Sequence, residues 1–330
     1  MNEKKRNVVN EKRIILGEAV PLAAPLLIYM DVCNLCNFRC KFCAAQMMKP
    51  DGYKRQLMSL ELYKKIIDDI AGFPTPLKTL RFVGGGEPLI NKELPEMIAY
   101  AKEKNVAEYM EVVSNGSLLT QEMSDGLSSS GLNRLRLSIE AIDAKGYKEI
   151  CGADIDWEKF LFNIKYFYEH RGNCEVYVKI VDTAVKTQKE KELFYQLFTD
   201  ISDRLFIESV APVWANYEEI HDKFDMASGL YGQTVRKVKI CPFPFYSFQI
   251  NSDGEVTACC SDWKRGIILG NARDENVCEI WKGEKYRSFL KGMIEKGRIA
   301  NHSTCAACEY PDYNKIDDLD AYGDKLLDRF

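Results

Sequence analysis

The sequence predicts an α/β protein built on a parallel sheet that is covered by helices. Short apolar segments alternate six times with longer segments in which apolar residues recur at the helical period. The short segments are nearly continuous apolar runs, which is typical of strands that are buried on both faces. Six strand–helix units are too few for a complete eight-stranded barrel and suit a partial one.

The predicted elements follow one another from residue 26 onward. In the segment 60–70, apolar residues such as Tyr63, Ile66 and Ile70 fall on one helical face, and Ser59 is suited to cap the first turn. The predicted strands are 26–30, 79–83, 109–113, 135–139, 176–181 and 205–207. The predicted helices are 60–70, 94–103, 121–129, 157–168 and 190–199.

The C-terminal part is predicted to form a second, smaller unit. Segments 245–250 and 255–260 flank Asn251-Ser252-Asp253-Gly254, and the Asp-Gly pair is typical of a tight hairpin turn. A chain of 330 residues can bury a barrel-sized core and a small second core. We therefore divide the chain into an N-terminal extension (1–25), a partial barrel (26–208), a connecting segment (209–240), a cysteine-rich domain (241–310) and a charged tail (311–330) with a predicted terminal helix.

Composition excludes several classes of function. The 45 basic and 49 acidic residues give a net charge of −4, which argues against broad electrostatic binding of nucleic acid. Glu18, Pro21 and Pro25 interrupt the apolar residues near the N-terminus, so no signal peptide is predicted. No uninterrupted run of about 18 apolar residues, as a membrane span requires, occurs in the sequence. The twelve cysteines cluster in the manner of metal sites in a reducing compartment, and we expect a cytoplasmic protein.

Three cysteines with the spacing C-x3-C-x2-C are the most informative feature of the chain. Cys36, Cys40 and Cys43 lie within eight residues, and thiolates this close together usually hold a metal. Three ligands on one loop could hold three irons of a four-iron cluster and leave the fourth iron open. A structural zinc would require a fourth ligand nearby, and no histidine lies close in sequence. A redox-inactive loop, or a disulfide pair with one spare thiol, is the alternative.

This motif resembles that of the radical S-adenosylmethionine (radical SAM) superfamily, including the aromatic Phe42 before the third cysteine. The resemblance implies a partial (β/α)6 TIM-like barrel and a 4Fe-4S cluster whose open iron is chelated by S-adenosyl-L-methionine. Electron transfer from the cluster then yields a 5′-deoxyadenosyl radical, which abstracts hydrogen from a substrate. A reductant such as flavodoxin or ferredoxin would supply the electron.

Further segments match the superfamily's cofactor groove at the carboxyl ends of the strands, where parallel α/β folds bind ligands. A glycine-rich turn follows the second predicted strand, and polar side chains end the next three. The resemblance implies that these residues contact the cofactor: Gly84, Gly85, Gly86, Glu87 and Pro88 at the methionine amino group, Asn115 in Ser114-Asn115-Gly116, Ser138, Glu140, and Lys179 as a carboxylate partner. An ordinary glycine turn and ordinary polar strand ends are the alternative interpretation.

A second cysteine set lies in the C-terminal domain. Cys241, Cys259, Cys305 and Cys308 provide four thiols, and the predicted hairpin brings the first two together. Four cysteines suit a zinc ribbon and an iron–sulfur cluster equally well. The pattern C-x12-G-x4-C followed by C-x2-C is similar to the SPASM/twitch extension of radical SAM enzymes. The resemblance implies a small β-hairpin-plus-helix twitch domain with one auxiliary 4Fe-4S cluster.

The remaining cysteines have less defined roles. Cys260 could replace Cys259 as a ligand, although the spacing from Gly254 favours Cys259. Cys33, Cys174 and Cys278 are predicted to be buried as small apolar residues. Cys151 is a candidate hydrogen donor, because related epimerases return hydrogen to the substrate radical from a free thiol. An inert core thiol is the alternative for Cys151.

The four-thiol spacing and short length are similar to those of twitch-type aminocyclitol dehydrogenases. The resemblance implies oxidation of a sugar-like or cyclitol-like alcohol, with the auxiliary cluster as electron acceptor. Epimerisation and modification of a ribosomal peptide, by a thioether link for example, are alternative reactions, so the substrate is a small molecule or a peptide. Because 35 residues precede Cys36, we expect no N-terminal peptide-recognition domain. A metal-binding scaffold without catalytic activity is the non-enzyme alternative.

Overall fold

The computed structural model describes residues 14–47, 52–210, 228–314 and 316–330. Most of the predicted N-terminal extension (1–13) and much of the connecting segment (211–227) lie outside the described residues. Within the described ranges, no helix combines the length and apolarity that crossing a membrane requires.

Nine strands form one sheet in the described part of the chain, in the order β6-β5-β4-β3-β2-β1-β7-β8-β9. Strands β1 to β6 are parallel and adjacent in chain order, which confirms the predicted α/β partial barrel. The strands are β1 (Leu27–Met30), β2 (Leu77–Phe82), β3 (Ala107–Ser114), β4 (Arg134–Ile139), β5 (Glu175–Val181), β6 (Arg204–Glu208), β7 (Ser247–Ile250), β8 (Glu255–Thr257) and β9 (Ile268–Asn271).

The C-terminal hairpin continues the sheet of the barrel. Strand β7 pairs in parallel with β1, with Tyr29 opposite Gln249, and β8 and β9 add antiparallel strands beyond it. Gly254 adopts a φ of 90° in the hairpin turn, a conformation that glycine reaches without strain. The cysteine-rich segment is therefore joined to the barrel by main-chain hydrogen bonds at β1, the strand that leads into the Cys36 loop.

Helices cover one face of the sheet. The helix α3 starts where Ser59 accepts a hydrogen bond from the backbone N–H of Leu62, as predicted, and buries one apolar face. The helices are α1 (Leu16–Ala19), α2 (Ala44–Met47), α3 (Leu60–Ile70), α4 (Leu94–Glu103), α5 (Gln121–Ser129), α6 (Ala144–Cys151), α7 (Trp157–His170), α8 (Gln188–Phe198), α9 (Phe243–Tyr246), α10 (Val277–Lys282), α11 (Glu284–Asn301), α12 (Ser303–Ala306), α13 (Tyr310–Tyr313) and α14 (Gly323–Leu327).

The opposite face of the sheet is polar, because side chains alternate between the two faces along each strand. Leu80, Leu135 and their apolar neighbours are buried against the helices. The alternate positions are occupied by a row of polar side chains that the strand register places side by side. We call this row, formed by Tyr29, Arg81, Glu111, Arg136, Ser138, Lys179 and Gln249, the polar face.

A buried ion-pair network holds the centre of the polar face together. The carboxylate of Glu111 is fully buried and accepts a hydrogen bond from Arg81 Nε at 2.5 Å. It also forms ion pairs with an Arg136 guanidinium nitrogen at 2.8 Å and with Arg134 at 3.6 Å. Although burial favours the protonated carboxyl, these three arginines lower the pKa of Glu111 to about 2. Glu111 is therefore ionised at neutral pH.

Three local predictions are corrected by the structure. Phe245 and Tyr246 belong to the short helix α9, so the predicted strand at 245–250 begins only at Ser247. The tail contains short helical segments instead of one terminal helix. Cys33 and Cys174 are buried as predicted, but Cys278 is only half-buried, because its thiol donates to the backbone oxygen of Asp69 at 3.0 Å at the helix surface.

Candidate functional site

The loop after β1 carries Cys36, Cys40 and Cys43, and all three are half-buried. The backbone N–H of Phe38 donates to the sulfur of Cys36 at 3.4 Å, and the N–H of Cys43 donates to the backbone oxygen of Cys40 at 3.1 Å. Burial raises the pKa of the Cys36 thiol to about 12. A bound cation is therefore needed to hold this side chain as a thiolate at neutral pH.

Helix α6 fixes the position of this loop. The N–H groups of Arg39 and Lys41 donate to the backbone oxygens of Cys151 and Ile150 at 2.8 and 3.1 Å. The ring of Phe38 packs edge-on against Tyr147 at 5.7 Å. Phe42 is half-buried in the turn before Cys43.

Cys151 lies at the C-terminal end of α6. It is buried, and its thiol is hydrogen-bonded to Cys40. The candidate hydrogen donor is therefore in direct contact with one of the three cysteines of the loop.

The glycine-rich turn lies directly against the cysteine loop. A Cβ atom on Gly86 would stand 2.1 Å from the backbone oxygen of Leu35 and 2.5 Å from that of Cys33, and one on Gly84 would stand 2.3 Å from Asp31. Only glycine allows this approach, because the atoms in the way at Gly86 belong to the backbone. Gly85 faces a polar cavity that Asp31 also lines.

Glu87 joins three segments of the site. Its buried carboxylate accepts hydrogen bonds from Ser114 Oγ at 2.7 Å, Asn115 N at 2.7 Å and Leu89 N at 2.9 Å. Its own backbone N–H donates to Leu35 in the cysteine loop at 2.7 Å. Burial raises the pKa of Glu87, and these hydrogen bonds oppose the shift. Pro88 starts the short 3₁₀ turn that Glu87 caps.

Asn115 completes the connection between β3 and the cysteine loop. Its side-chain nitrogen donates to Asn37 Oδ1 at 3.0 Å, and Asn37 in turn donates to Ser117 Oγ at 2.7 Å. The structure therefore brings the cysteine loop, the glycine-rich turn and the end of β3 together.

Ser138, Glu140 and Lys179 lie farther along the same edge of the sheet. Ser138 is adjacent to Lys179 in the strand register, and Lys179 forms an ion pair with Glu208. Burial raises the pKa of Glu140 to about 7, although Lys179 opposes the shift. The carboxylate that Lys179 contacts here is that of Glu208, and the sequence did not predict this contact.

The second set of cysteines converges at one place. Cys241, Cys259, Cys305 and Cys308 line a common cavity beside the hairpin. Cys260 is not among its lining residues. Its thiol is hydrogen-bonded to Tyr29 and lies near Arg81, on the polar face of the sheet. The two neighbouring thiols are hydrogen-bonded to each other, and only that of Cys259 lines the cavity with the other three.

Arg298 organises the C-x2-C pair and was missed by sequence reasoning. It is buried, and its guanidinium donates to the backbone oxygens of Cys305, at 3.2 Å, and Cys308. It also donates to Val238 O at 2.9 Å and pairs with the buried Asp312 at 2.8 Å. Its position near the end of the charged, amphipathic helix α11, seven residues before Cys305, gave no sequence signal for this role.

Comparison with known families identifies both cysteine sites. Residues 30–193 match the model of the radical SAM superfamily, which includes the C-x3-C-x2-C loop and the glycine-rich turn. Residues 241–309 match the SPASM model, an iron–sulfur cluster-binding domain. The chain belongs to the radical SAM superfamily. It is therefore an enzyme that uses S-adenosylmethionine and iron–sulfur clusters, as the resemblance implied, and an iron–sulfur cluster is favoured over zinc at the C-terminal site.

Similar proteins differ in what they act on. The chain is 25% identical, over 90% of its length and 92% of the relative's, to a tungsten-containing aldehyde ferredoxin oxidoreductase cofactor-modifying protein of Pyrococcus furiosus. The fold is similar to that of BtrN in complex with AdoMet and 2-DOIA, with a TM-score of 0.56 and 18% identity over 89% of this chain and 94% of that one. It is also similar to Streptococcus suis SuiB bound to its precursor peptide SuiA, with a TM-score of 0.65 and 16% identity over 91% of this chain and 77% of that one.

The residues present fit these cofactors. Three thiols on one loop leave a coordination position free on a four-iron cluster, and four thiols at the second site can close the coordination of another. The glycine-rich turn is partly exposed beside the first site, so a small zwitterionic ligand can approach its backbone groups.

Proposed function

We propose that the chain oxidises a hydroxyl-bearing carbon of a sugar-like or cyclitol-like alcohol. The observation that carries this proposal is the convergence of Cys241, Cys259, Cys305 and Cys308 next to the polar face of the sheet. Alcohol oxidation by hydrogen abstraction leaves one electron on the substrate, and a fully ligated iron–sulfur cluster is suited to accept one electron.

In this proposal the cysteine loop and the groove beside it bind the cofactors. Cys36, Cys40 and Cys43 hold the first cluster, and Gly84 to Pro88 receive the methionine end of S-adenosylmethionine. Bound together, these cofactors supply the one-electron chemistry that removes a hydrogen atom from the substrate. The chain contributes the positions of these groups, because Glu87 joins the glycine-rich turn to the cysteine loop and to Asn115 by hydrogen bonds.

The polar face is suited to bind a polar substrate. Arg136, Lys179 and Glu140 stand near one another at the carboxyl ends of β4 and β5, and Ser138 lies between them in the register. Their alternating charges provide donors and acceptors for a hydroxylated molecule. Ser138, Glu140 and Lys179 then either contact the cofactor, as the resemblance implies, or orient the substrate beside it.

Modification of a ribosomal peptide is a second candidate. The similarity to SuiB bound to a precursor peptide, over 91% of this chain, favours it. Epimerisation rests on Cys151, whose thiol is engaged with Cys40, so this reaction has less support from the geometry.

A cytoplasmic location and a flavodoxin or ferredoxin as reductant complete the proposal. Twelve cysteines without a disulfide, seven of them in two metal-type sets, suit a reducing compartment.

Product analysis tests the proposed reaction. Anaerobic protein with both clusters is incubated with S-adenosylmethionine, dithionite and one of myo-inositol, D-glucosamine, D-glucose or a cysteine-containing peptide, in heavy water. With one of the three alcohols as substrate, we expect 5′-deoxyadenosine and a carbonyl product to form in equal amounts. We expect no deuterium on the carbon atoms of the product. Deuterium on carbon would indicate epimerisation instead. A modified peptide, with no alcohol consumed, would favour the second candidate.

A further inference from the structure

A polar cavity lies between the end of β1 and the hairpin β7–β8. Asp31, Gly85, Gln249, Trp263 and Arg265 are among the residues that line it. Asp31 follows β1 directly, and its backbone N–H donates to Ile250 O of β7 at 2.9 Å. The cavity therefore opens beside the glycine-rich turn on one side and the cysteine-rich hairpin on the other.

Two residues that line this cavity each carry a buried acceptor atom without a hydrogen-bond donor among the described residues. Asp31 is 2% exposed and Gln249 is 5% exposed. Neither Asp31 Oδ1 nor Gln249 Oε1 has a partner among the residues that the structure describes. Buried acceptors are normally satisfied, because leaving one unpaired forfeits its hydration without replacement.

The orientation of the Gln249 amide is fixed by its neighbour. Its nitrogen donates to Asn251 Oδ1 at 2.7 Å, and the Asn251 nitrogen donates to Glu255 O at 2.9 Å. Asn251 can therefore offer only an acceptor to Gln249, which leaves the oxygen of Gln249 directed away from this chain of hydrogen bonds. The free oxygens of Gln249 and Asp31 call for a ligand that brings donors, such as hydroxyl or ammonium groups.

The free oxygens lie next to the cofactor groove. Gly84 is packed against the Asp31 side chain, and a backbone hydrogen bond from Gly85 reaches the same carboxylate. A molecule bound to Asp31 and Gln249 would thus stand beside the turn that receives the cofactor.

We propose that Asp31 and Gln249 bind the substrate through its hydroxyl groups and that Asp31 is the base that accepts the hydroxyl proton during oxidation. This inference rests on the proposed function. The carbon first loses a hydrogen atom, which forms the new C–H bond of 5′-deoxyadenosine. The O–H proton then passes to Asp31, one electron passes to the auxiliary iron–sulfur cluster, and the carbon–oxygen bond becomes a carbonyl. The alcohol thus loses one hydrogen atom to the deoxyadenosyl radical, one proton to Asp31 and one electron to the auxiliary cluster. The cluster is the oxidant for the second step.

The electrostatics of the cavity support this role. Burial raises the pKa of Asp31 to about 6, and the Gly85 and Cys33 backbone N–H groups and Arg265 oppose the shift. The other ionisable groups near it are Asp253, Asp262, Tyr53 and the Cys33 thiol. Asp31 is thus mainly ionised at neutral pH and has a proton affinity close to the working pH, which favours general-base catalysis.

Asp31→Asn and Gln249→Ala separate the two roles. Both variants, loaded with both clusters, are compared with the wild type on whichever of myo-inositol, D-glucosamine or D-glucose is oxidised. We expect D31N to keep forming 5′-deoxyadenosine while carbonyl formation falls by about 100-fold or more. Q249A should raise KM and leave kcat within about threefold of the wild type, because it removes only a binding contact. Asp31→Glu, which restores a carboxylate, should recover part of the lost carbonyl formation.

Carbonyl formation by D31N within threefold of the wild type would overturn the inference. Equal loss of 5′-deoxyadenosine and carbonyl would overturn it as well, since Asp31 would then serve the cofactor or the fold. If the wild type itself oxidises none of the three alcohols, it is the proposed function that fails, and the base role fails with it.

A comparison of melting temperatures tests the raised pKa of the buried Asp31 carboxyl without measuring catalysis. The folded-state pKa of Asp31 lies above its usual 3.8, so the wild type should lose stability as the pH rises from 3.8 through about 6. D31N lacks this loss, and its advantage over the wild type should be larger at pH 8 than at pH 5. An advantage that does not change with pH would contradict a buried carboxylate whose pKa is raised at this position.

Discussion

Replacing Glu111 with glutamine should destabilise the chain strongly, because it removes the buried negative charge that pairs with Arg81 and Arg136 at the centre of the polar face. Arg134, at 3.6 Å from Glu111, keeps its second partner Glu175 at 2.8 Å. The side chain keeps its size, so no cavity forms. Breaking a buried ion pair by neutralising one partner costs about 3–5 kcal/mol.

The pKa of Glu111 gives a second estimate of the same effect. Its depression from 4.5 to about 2 corresponds to about 3 kcal/mol of folding free energy at neutral pH. A carboxyl with a depressed pKa contributes its stability above the unfolded pKa and loses it as the pH falls through the folded one. The difference between wild type and E111Q should therefore stay constant from pH 5 to 8.

Urea unfolding under anaerobic conditions measures this difference on cluster-loaded protein. Glu108→Gln is the matched control, because Glu108 lies on the same strand but its ion pair with Lys78 is exposed. An exposed pair contributes about 0–1 kcal/mol. If E111Q unfolds within 1 kcal/mol of the wild type, or no less readily than E108Q, the network does not stabilise the fold as the geometry indicates.

Three further predictions concern the site. Cys259→Ala should lower the iron content from about eight to about four per chain, because Cys259 lines the four-thiol cavity. Cys260→Ala should leave the iron content unchanged, because Cys260 does not line this cavity. An iron assay of the two variants tests this difference. Gly86→Ala should displace the cysteine loop and lose the iron of the first site, because the new Cβ would stand 2.1 Å from a backbone oxygen. Gly85→Ala is the control and should keep this iron, because its closest contact is the end of the Tyr53 side chain at 2.8 Å. Equal iron content in the two variants would contradict this prediction. Glu140 has a folded pKa of about 7, above its usual 4.5, so the wild type should lose stability as the pH rises through that range, and Glu140→Gln should melt higher than the wild type at pH 8 but not at pH 5. A pH-independent difference in melting temperature would show that the carboxyl is not held in its neutral form.

The barrel could be predicted from sequence because its elements carry their own signals. The helix 121–129 has the predicted bounds, and the ends of the six barrel strands differ from the predicted ends by at most two residues. In the hairpin, the predicted strand 255–260 is shorter and ends at Thr257. Helix α6 escaped prediction because Gly146 and its lysines leave only Tyr147 and Cys151 buried. The pairing of β7 with β1 joins segments about 220 residues apart, and no local pattern encodes such a contact.

The cysteines of the site could be predicted from their spacing, because metal ligation requires a fixed number of thiols on short segments. The choice between Cys259 and Cys260 depends on which thiol lines the four-thiol cavity, and the packed structure is needed to see that it is Cys259. Arg298 and Asp31 could not be found from sequence. Their roles depend on burial and on unpaired or shared acceptors, which only the packed structure brings about.

Iron content and S-adenosylmethionine cleavage together test the central claim, that Cys36, Cys40 and Cys43 hold a cluster with an open position. Anaerobically reconstituted wild type should contain about eight irons per chain and release 5′-deoxyadenosine upon reduction with S-adenosylmethionine. The triple alanine variant at these positions should retain about four irons and release none. Unchanged iron in the triple variant, or 5′-deoxyadenosine formed without those thiols, would contradict the account.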